Sequence, residues 1–234
     1  MGSNGENQEA FSKWAETYRK FAAEGSELMW PSETLIRLFK GNYIPGLKRN
    51  YAGQSVLDIG FGNGNNLLFL GSLGLKLSGV EVDKDICEKT GAKLKMVGHD
   101  ADLKVGTNKA LPFPDKSFDF IVSWNVLHYE PTEPDIRAAI KEYCRVLKPG
   151  GRFFISTTGP EHKILQDGKT LGGHRYQIGR QDDFRKGQVY FYFDSPNYIR
   201  HYFSECFTDV LVGRTHDFLM TETLDWYVVT GVRP

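Results

Sequence analysis

Cysteine is sparse in this sequence. Only Cys87, Cys144 and Cys206 occur among the 234 residues, and they are scattered and odd in number. A disulfide framework or a cysteine-based zinc site needs more cysteines, placed at short and regular spacings. The sequence therefore predicts neither a disulfide-stabilised scaffold nor a zinc cluster.

Long apolar runs and an excess of charge are also missing. No stretch approaches the ~20 apolar residues that a membrane-spanning helix requires. The N-terminal segment MGSNGENQEA has neither the basic nor the apolar region of a secretory signal. The 29 basic and 29 acidic residues give a formal net charge of zero, so the total charge does not favour nucleic acid or an anionic membrane as a partner. We therefore expect a cytoplasmic protein without a membrane or nucleic-acid partner.

A strand, a glycine-rich turn and a helix are predicted in succession within residues 56–74, VLDIGFGNGNNLLFLGSLG. The apolar run around Asp58 is rich in β-branched residues and indicates a buried strand, and apolar residues with helical spacing follow the turn. Gly60, Gly62 and Gly64 let the main chain pass close to a ligand, and the helix start brings backbone N–H groups up against it. The glycine spacing differs from the dinucleotide fingerprint G-x-G-x-x-G, which argues against a dehydrogenase.

Three further features accompany this turn. Glu81 ends the predicted second strand, LPFPDKSFD occupies residues 111–119, and RVLKPGG, which is predicted to form a turn, occupies residues 145–151. In this order, and together with LDIGFGNG, they resemble the class I S-adenosylmethionine-dependent methyltransferases over about residues 56–157. The resemblance implies an α/β, Rossmann-like class I methyltransferase fold. Such a fold has a seven-stranded, mostly parallel sheet with an antiparallel last strand and helices on both faces.

The resemblance also divides the chain into two parts. Residues 1–50 contain two predicted helices, the second with Ser32 as its N-cap candidate. In the family such a segment often closes as a lid over the cofactor and the substrate. Residues 1–8 are expected to lack regular structure. Residues 51–234 form the S-adenosylmethionine-binding domain. Within it, residues 158–190 are an insertion that is predicted to be irregular and to serve as a substrate cap or a mobile loop.

The implied methyl donor is S-adenosyl-L-methionine, with S-adenosyl-L-homocysteine as the product. Glu81 is expected to accept hydrogen bonds from the ribose diol. Thr107 and Asn108 stand where many members carry an aspartate for the adenine amino group, and either side chain could supply a hydrogen bond. The residues implied to contact the cofactor are Asp58, Gly60, Phe61, Gly62, Gly64, Glu81, Val82, Thr107, Asn108, Asn125 and Trp30.

His128 is the candidate general base. It follows the predicted fourth strand, at the sheet edge where ligands bind, and its ordinary pKa suits proton transfer. Small-amine methyltransferases of the phosphoethanolamine type resemble this chain at Leu127-His128 and at Tyr18 in the N-terminal helix. The resemblance therefore makes His128 and Tyr18 the candidate catalytic residues. The alternative for His128 is a purely structural role in the core.

No metal site is predicted, because His162, His174 and His201 have no partner at the short spacing that metal ligands show. Four of the cations in the insertion either hold an anionic group of the acceptor or form a solvated basic loop: Arg175, Arg180, Arg185 and Lys186.

The sequence thus predicts a methyltransferase that moves a methyl group to a nitrogen or oxygen nucleophile of a small molecule by in-line displacement. An amine and an anionic compound are the candidate acceptors. A tRNA or protein methyltransferase is the second hypothesis. The third is a protein that binds S-adenosylmethionine without turnover. A Rossmann dehydrogenase fits the glycine spacing poorly.

Overall fold

The computed structural model describes residues 30–181 and 183–234, together with Ser12 and Glu16. Most of the predicted first helix, including Tyr18, lies outside the described residues. The helices are α1 (Glu33–Lys40), α2 (Asn65–Ser72), α3 (Lys84–Met96), α4 (Glu133–Val146) and α5 (Pro196–Phe203), with single 3-10 turns at Leu127–Tyr129 and Lys163–Leu165. The strands are β1 (Ser55–Ile59), β2 (Lys76–Glu81), β3 (Ala101–Val105), β4 (Phe118–Trp124), β5 (Leu147–Thr158), β6 (Lys169–Gly172), β7 (Arg175–Gln177), β8 (Val189–Phe191), β9 (Thr208–Leu219) and β10 (Glu222–Val232).

The main sheet has seven strands in the order β3-β2-β1-β4-β5-β10-β9. The pairs from β3 through to β5 are all parallel. By contrast, β10 is antiparallel to both of its neighbours, β5 and β9. This is the seven-stranded, mostly parallel sheet with an antiparallel last strand that the resemblance implies, and that prediction is confirmed.

Helices cover both faces of this sheet because its central strands are apolar on both sides. In β1, Val56 packs in one buried cluster with Leu35 of α1 and Leu67 of α2. The next residue, Leu57, points to the other face and packs in a second cluster with Ile136 of α4. Successive side chains of a strand alternate between faces, so one short apolar run serves both layers.

The helices begin where the sequence provides capping side chains. The Ser32 hydroxyl accepts a hydrogen bond from the Leu35 backbone N–H and starts α1, as predicted. The Asp83 carboxylate caps α3 in the same way through the N–H of Ile86. A further contact joins α1 to the glycine-rich turn, because the N–H of Ser32 donates to Asn66 Oδ1 at 3.0 Å. The N-terminus of α1 is thereby attached to the start of α2.

The insertion is more regular than the sequence predicts. β6, β7 and β8 form a small three-stranded antiparallel sheet. This sheet has its own apolar cluster around Ile164, Ile178 and Tyr190, against which Tyr129 packs. Its strands are only three or four residues long, so they are too short to produce a clear alternating pattern in the sequence.

Two strand boundaries also differ from the prediction. β5 already starts at Leu147, inside the RVLKPGG segment that we predict as a turn, because Leu147 pairs with Phe118 of β4. The sequence pattern predicts two short strands, at residues 210–212 and 217–220. β9 is instead one continuous strand, since β10 pairs with it along nearly its whole length. Among the described residues, no helix combines the length and the apolar character needed to cross a membrane.

Candidate functional site

A cavity of about 620 Å³ opens at the carboxyl ends of the central strands. Residues directly after β1, β2, β3 and β4 contribute to its wall, including Gly60, Val82, Gly106 and Asn125. β1 and β4 are neighbours in the sheet. The chain leaves β1 toward β2 and leaves β4 toward β5, in opposite directions, so a crevice forms between the two strand ends. Ligands of open α/β sheets bind at such a point.

The glycine-rich turn forms one end of the cavity. Gly60 has a φ of +69°, a conformation that side chains of L-residues rarely adopt. A Cβ atom at this position would overlap Cγ2 of Val126, which follows β4. The N–H of Gly60 donates to the carbonyl of Val80 at 2.8 Å and holds the turn against β2. The side chain of Val126 thus occupies the place that a Cβ of residue 60 would need, and the turn requires glycine at this position.

Glu81 lies beside this turn with its carboxyl group buried. Its Oε1 accepts the N–H of Gly62 at 3.0 Å, and its Oε2 accepts the N–H of Val82 at 2.9 Å. Burial raises the pKa of Glu81 to about 7, although these two hydrogen bonds act in the opposite direction. Each carboxylate oxygen keeps a second acceptor position. Glu81 can therefore accept hydrogen bonds from a diol placed in the cavity.

Asp58, Gly62 and Gly64 do not line the cavity, although the resemblance implies contact with the cofactor. Asp58 is buried on β1, and its Oδ2 has no hydrogen-bond partner among the described residues. Burial, and then the nearby Glu81, raise its pKa well above the ordinary value. Gly62 donates to Glu81, and Gly64 caps α2 with a φ of +79°. These three residues belong to the strand and turn that form this part of the site, but they do not line the cavity.

Thr107 and Asn108 line the cavity beyond β3, where the resemblance places the adenine. The side chain of Asn108 is already engaged inside the protein, since Oδ1 accepts from the Tyr143 hydroxyl at 2.5 Å. Its Nδ2 donates to Glu130 Oε1 at 3.3 Å, and Lys109 in turn pairs with Glu130 at 3.2 Å. A ligand at this end therefore meets Thr107 and the main chain of Asn108 rather than the Asn108 amide.

Asn125 and Trp30 complete the predicted residues that line the cavity, along with Phe61, Glu81 and Val82. Asn125 has a φ of +61°, and Asn tolerates this region better than most residues. Its N–H donates to Ser156 Oγ at 2.8 Å, and its Oδ1 accepts from the same hydroxyl at 2.5 Å. Trp30 is 81% exposed at the mouth of the cavity.

His128 lies behind the cavity wall and does not line the cavity. Its ring stacks on Tyr129 at 5.0 Å between centroids and contacts Tyr190 at 4.7 Å and Trp226 at 5.9 Å. Burial lowers its pKa well below the ordinary value of 6.5, and the charges of Arg185 and His162 add to this effect. The imidazole is consequently neutral at physiological pH. Tyr18, its proposed catalytic companion, lies outside the described residues.

The other end of the cavity is formed mostly by residues that the sequence did not single out. Trp124, Tyr129 and Trp226 line it, together with Phe184 and with Arg185, a candidate cation of the sequence analysis, from the loop before β8. Of the six lysine and arginine residues in the insertion, only Arg185 lines the cavity. Arg180 is paired with Glu222, and Lys186 bonds to Gln181. Charge alone therefore did not indicate which cation faces the site.

The LPFPDKSFD segment itself lies away from the cavity. Arg145 holds its turn by donating to the carbonyl oxygens of Leu111 at 2.9 Å and Phe113 at 2.8 Å. Asp119 accepts from Ser55 and Lys148, each at 2.8 Å, and so joins β1, β4 and β5. The LPFPDKSFD segment therefore holds neighbouring strands together, and none of its residues lines the cavity.

Comparisons with known proteins agree with this geometry. A methyltransferase-domain family model matches residues 56–151. The uncharacterized methyltransferase YcgJ of Bacillus subtilis is 33% identical over 165 residues, which are 69% of this chain and 59% of YcgJ. The structure of an S-adenosylmethionine-dependent methyltransferase from Methanosarcina mazei has a TM-score of 0.68 at 19% identity, covering 88% of this chain and 99% of that one.

This chain carries a class I S-adenosylmethionine-dependent methyltransferase domain. The cofactor of such a domain is S-adenosylmethionine. A structure of phosphoethanolamine N-methyltransferase 2 from Haemonchus contortus in complex with S-adenosyl-L-methionine has the same fold. Its TM-score is 0.62 at 16% identity, with 86% of this chain and 51% of that chain covered. The matched part of this chain spans less than two thirds of the length of YcgJ.

The residues of this methyltransferase domain fit the cofactor. Gly60 lines the cavity with its main chain, because Val126 fills the place of a Cβ, and Glu81 offers buried acceptor oxygens suited to a ribose diol. Thr107 and Asn108 line the side that the resemblance assigns to the adenine, and the aromatic residues at the opposite end can contact a sulfonium through cation–π attraction. Among the residues that the structure describes, no three histidine, cysteine or acidic side chains gather as metal ligands.

Proposed function

We propose that the protein transfers a methyl group from S-adenosylmethionine to a nitrogen or oxygen nucleophile of a small-molecule acceptor by in-line displacement. The observation that carries this proposal is the continuity of one cavity. It joins the glycine turn and Glu81 at one end to an aromatic end, formed by Tyr129, Phe184 and Trp226, at the other. A cavity of about 620 Å³ suits a cofactor and a compact acceptor side by side.

The cofactor, when bound, supplies an activated methyl group on a sulfonium. The protein then has to orient the acceptor and exclude water. Within the proposed assignment, Gly60, Phe61, Glu81 and Val82 hold the ribose and the amino-acid part of the cofactor. Thr107 and Asn108 hold the adenine. Trp30 and Asn125 line the region between the cofactor and the acceptor.

Asp58, Gly62 and Gly64 have an indirect part in this assignment. Gly62 supports the carboxylate of Glu81, and Gly64 begins the helix whose N-terminus faces the site. The catalytic role of His128 and Tyr18 stays a prediction. The ring of His128 is buried and does not line the cavity, and it meets Tyr129 and Trp226 through ring contacts.

Methyl transfer with labelled cofactor tests the proposal. The purified protein is incubated with S-adenosylmethionine carrying a radioactive methyl group and, in parallel, with a panel of small amines and hydroxyl compounds, with total tRNA, or with denatured protein. We expect label in at least one small molecule and none in the macromolecules. The Glu81→Ala variant should lose the transfer, whereas Glu88→Ala, at an exposed position of α3, should keep it.

Two outcomes would replace the proposal with its alternatives. Label that appears in tRNA or protein but in no small molecule would favour a macromolecular acceptor. Binding of S-adenosylhomocysteine without any transfer to the three classes would favour a binding protein without turnover. The neutral total charge and the enclosed aromatic end support the small-molecule acceptor.

A further inference from the structure

The aromatic end of the cavity has walls suited to a flat ring. Tyr129 and Trp226 both line the cavity, and both contact the ring of His128, with centroids at 5.0 and 5.9 Å from the imidazole. The planes of the two rings are inclined by 29° and 33° to the imidazole plane. Phe184, on the loop before β8, lines the cavity as a third aromatic residue. Aromatic faces in this arrangement favour an aromatic ligand through stacking.

Arg185 is the single cation among the described residues that line the cavity. Asp183 holds its guanidinium in place, accepting from Nε at 2.7 Å and from Nη2 at 2.6 Å. Both side chains are mostly buried, with 21% and 10% of their surface exposed. Nη1 is the nitrogen that Asp183 does not engage. The guanidinium lies next to Phe184, and its charge acts on Tyr129 and Tyr190.

The charges at the aromatic end of the cavity restrict the charge that an acceptor can carry there. The Arg185–Asp183 pair is neutral overall, and Asp217 adds a negative charge to the same cavity. A phosphate dianion usually needs several unpaired cations or a free, bidentate guanidinium. A single N–H of a fixed guanidinium instead suits one ring oxygen, which accepts one charge-assisted hydrogen bond.

We infer that the methyl acceptor is a planar aromatic compound with a ring hydroxyl, bound with its ring against Tyr129 and Trp226 and its oxygen against Arg185. This inference rests on the proposed function and names the substrate class for that site. It assigns Arg185 as the specificity residue of the aromatic end. A phosphorylated amine is the contrasting acceptor, which this end of the cavity does not fit.

Equilibrium dialysis on the protein saturated with S-adenosylhomocysteine tests the inference without turnover. The probes are 2-naphthol, naphthalene as the same ring without oxygen, and phosphoethanolamine. We expect 2-naphthol to bind roughly tenfold more tightly than naphthalene, the ratio that one charge-assisted hydrogen bond supplies. Phosphoethanolamine should not displace it. Equal binding of the two ring compounds, or tighter binding of phosphoethanolamine, would overturn the inference.

Variants separate the role of Arg185 from general damage. Arg185→Met should weaken 2-naphthol about tenfold and leave naphthalene unchanged, whereas Trp226→Leu should weaken both. Lys186→Met is the matched control, since this neighbouring cation does not line the cavity. Unchanged affinity of Arg185→Met for S-adenosylhomocysteine would establish that the variant is folded. An Arg185→Met variant that weakens both ring compounds equally would contradict the assignment.

The two proposals fail in different ways. If the wild-type protein does not bind S-adenosylhomocysteine, the proposed function is wrong and the inference is overturned with it. If S-adenosylhomocysteine binds and 2-naphthol has no advantage over naphthalene, only the substrate class is wrong.

Discussion

Glu81 carries the most informative ionisable group of the site. Its ordinary pKa of 4.5 is raised by burial to about 7, so the group is partly protonated near neutral pH. A protonated carboxyl has one oxygen that donates, whereas the ribose diol and the N–H groups of Gly62 and Val82 all need acceptors. In the proposed assignment, the ionised form is therefore the one that binds the cofactor.

This predicts that the affinity for S-adenosylhomocysteine falls as the pH decreases through 7. With a pKa of about 7, the dissociation constant should be roughly tenfold larger at pH 6 than at pH 8. Calorimetric titration at both pH values measures this ratio. Glu81→Ala is the control, because its weaker binding should no longer depend on pH. A wild-type affinity that is flat between pH 6 and 8 would rule out the role of this carboxylate.

The same pKa shift has the opposite effect on the ligand-free fold. A carboxyl whose pKa is raised on folding contributes stability below its unfolded value of about 4.5 and loses that contribution as the pH rises through 7. Cofactor affinity should thus increase over the range in which the contribution of Glu81 to stability declines.

Gly60 carries the steric requirement of the site. Alanine at this position adds a Cβ that overlaps Val126 and must adopt a φ of +69°. We expect Gly60→Ala to lower the affinity for S-adenosylhomocysteine at least ~10-fold, since the left-handed backbone alone costs about 1–2 kcal/mol. Gly91→Ala is the matched control, because its Cβ would meet only a side-chain atom of Leu103 at 3.7 Å. Similar cofactor binding by both variants would count against the close approach of the turn.

At the scale of elements, the insertion supplies side chains to the proposed acceptor end of the cavity. β6, β7 and β8 hold the loop that carries Asp183, Phe184 and Arg185 over the cavity. Gly179 allows the chain to pass directly over the main chain at Asp167, because a Cβ there would overlap the Asp167 carbonyl oxygen. The position of the loop therefore depends on this close backbone approach.

Gly179→Ala should displace the loop and reduce acceptor binding while leaving the cofactor site intact. We expect unchanged affinity for S-adenosylhomocysteine and at least ~10-fold weaker binding of 2-naphthol. Gly213→Ala in β9 is the control, since its Cβ would lie 3.9 Å from the nearest atom, a backbone oxygen of Val228. An equal loss of both ligands in Gly179→Ala would indicate general unfolding, and no loss of either would show that the loop does not define the acceptor end.

Elements with a strong local pattern could be predicted from the sequence. The β1 run, the glycine turn and the cap at Ser32 each depend on neighbouring residues, and all three lie where they are predicted. β6 and β7 could not be found, because strands of four and three residues with exposed or mixed burial have no period to detect. The RVLKPGG segment was predicted as a turn, yet Leu147 joins β5 through its pairing with Phe118.

The residues of the candidate site also fall into those that could be predicted from the sequence and those that could not. Glu81 and Gly60 could be found because the family resemblance covers them. Trp226 could not, since it comes from β10 and joins Tyr129 in the cavity wall only in the folded chain. Arg185 was among the candidate cations of the insertion, but charge alone does not show which of them lines the cavity. His128 illustrates the opposite case: its position after β4 suggested a base, but the 3-10 turn Leu127–Tyr129 directs the ring behind the wall.

At the scale of the whole molecule, the strand order brings the two halves of the site together. β1 and β4 are neighbours at the centre of the sheet, so the turns after them face each other across the crevice. The half from β1 to β3 supplies the glycine turn, Glu81 and Asn108. The half from β4 to β10 supplies the aromatic end and the insertion. Cofactor recognition and acceptor choice are thereby assigned to different parts of one sheet.

The central claim is that this crevice binds S-adenosylmethionine through Glu81. The most direct measurement is calorimetric titration with S-adenosylhomocysteine and, separately, with NAD, on the wild-type protein, Glu81→Ala and Glu88→Ala. We predict micromolar binding of S-adenosylhomocysteine to the wild type and to Glu88→Ala, at least ~10-fold weaker binding to Glu81→Ala, and no binding of NAD. A preference for NAD, or equal affinity of Glu81→Ala and the wild type for S-adenosylhomocysteine, would contradict it.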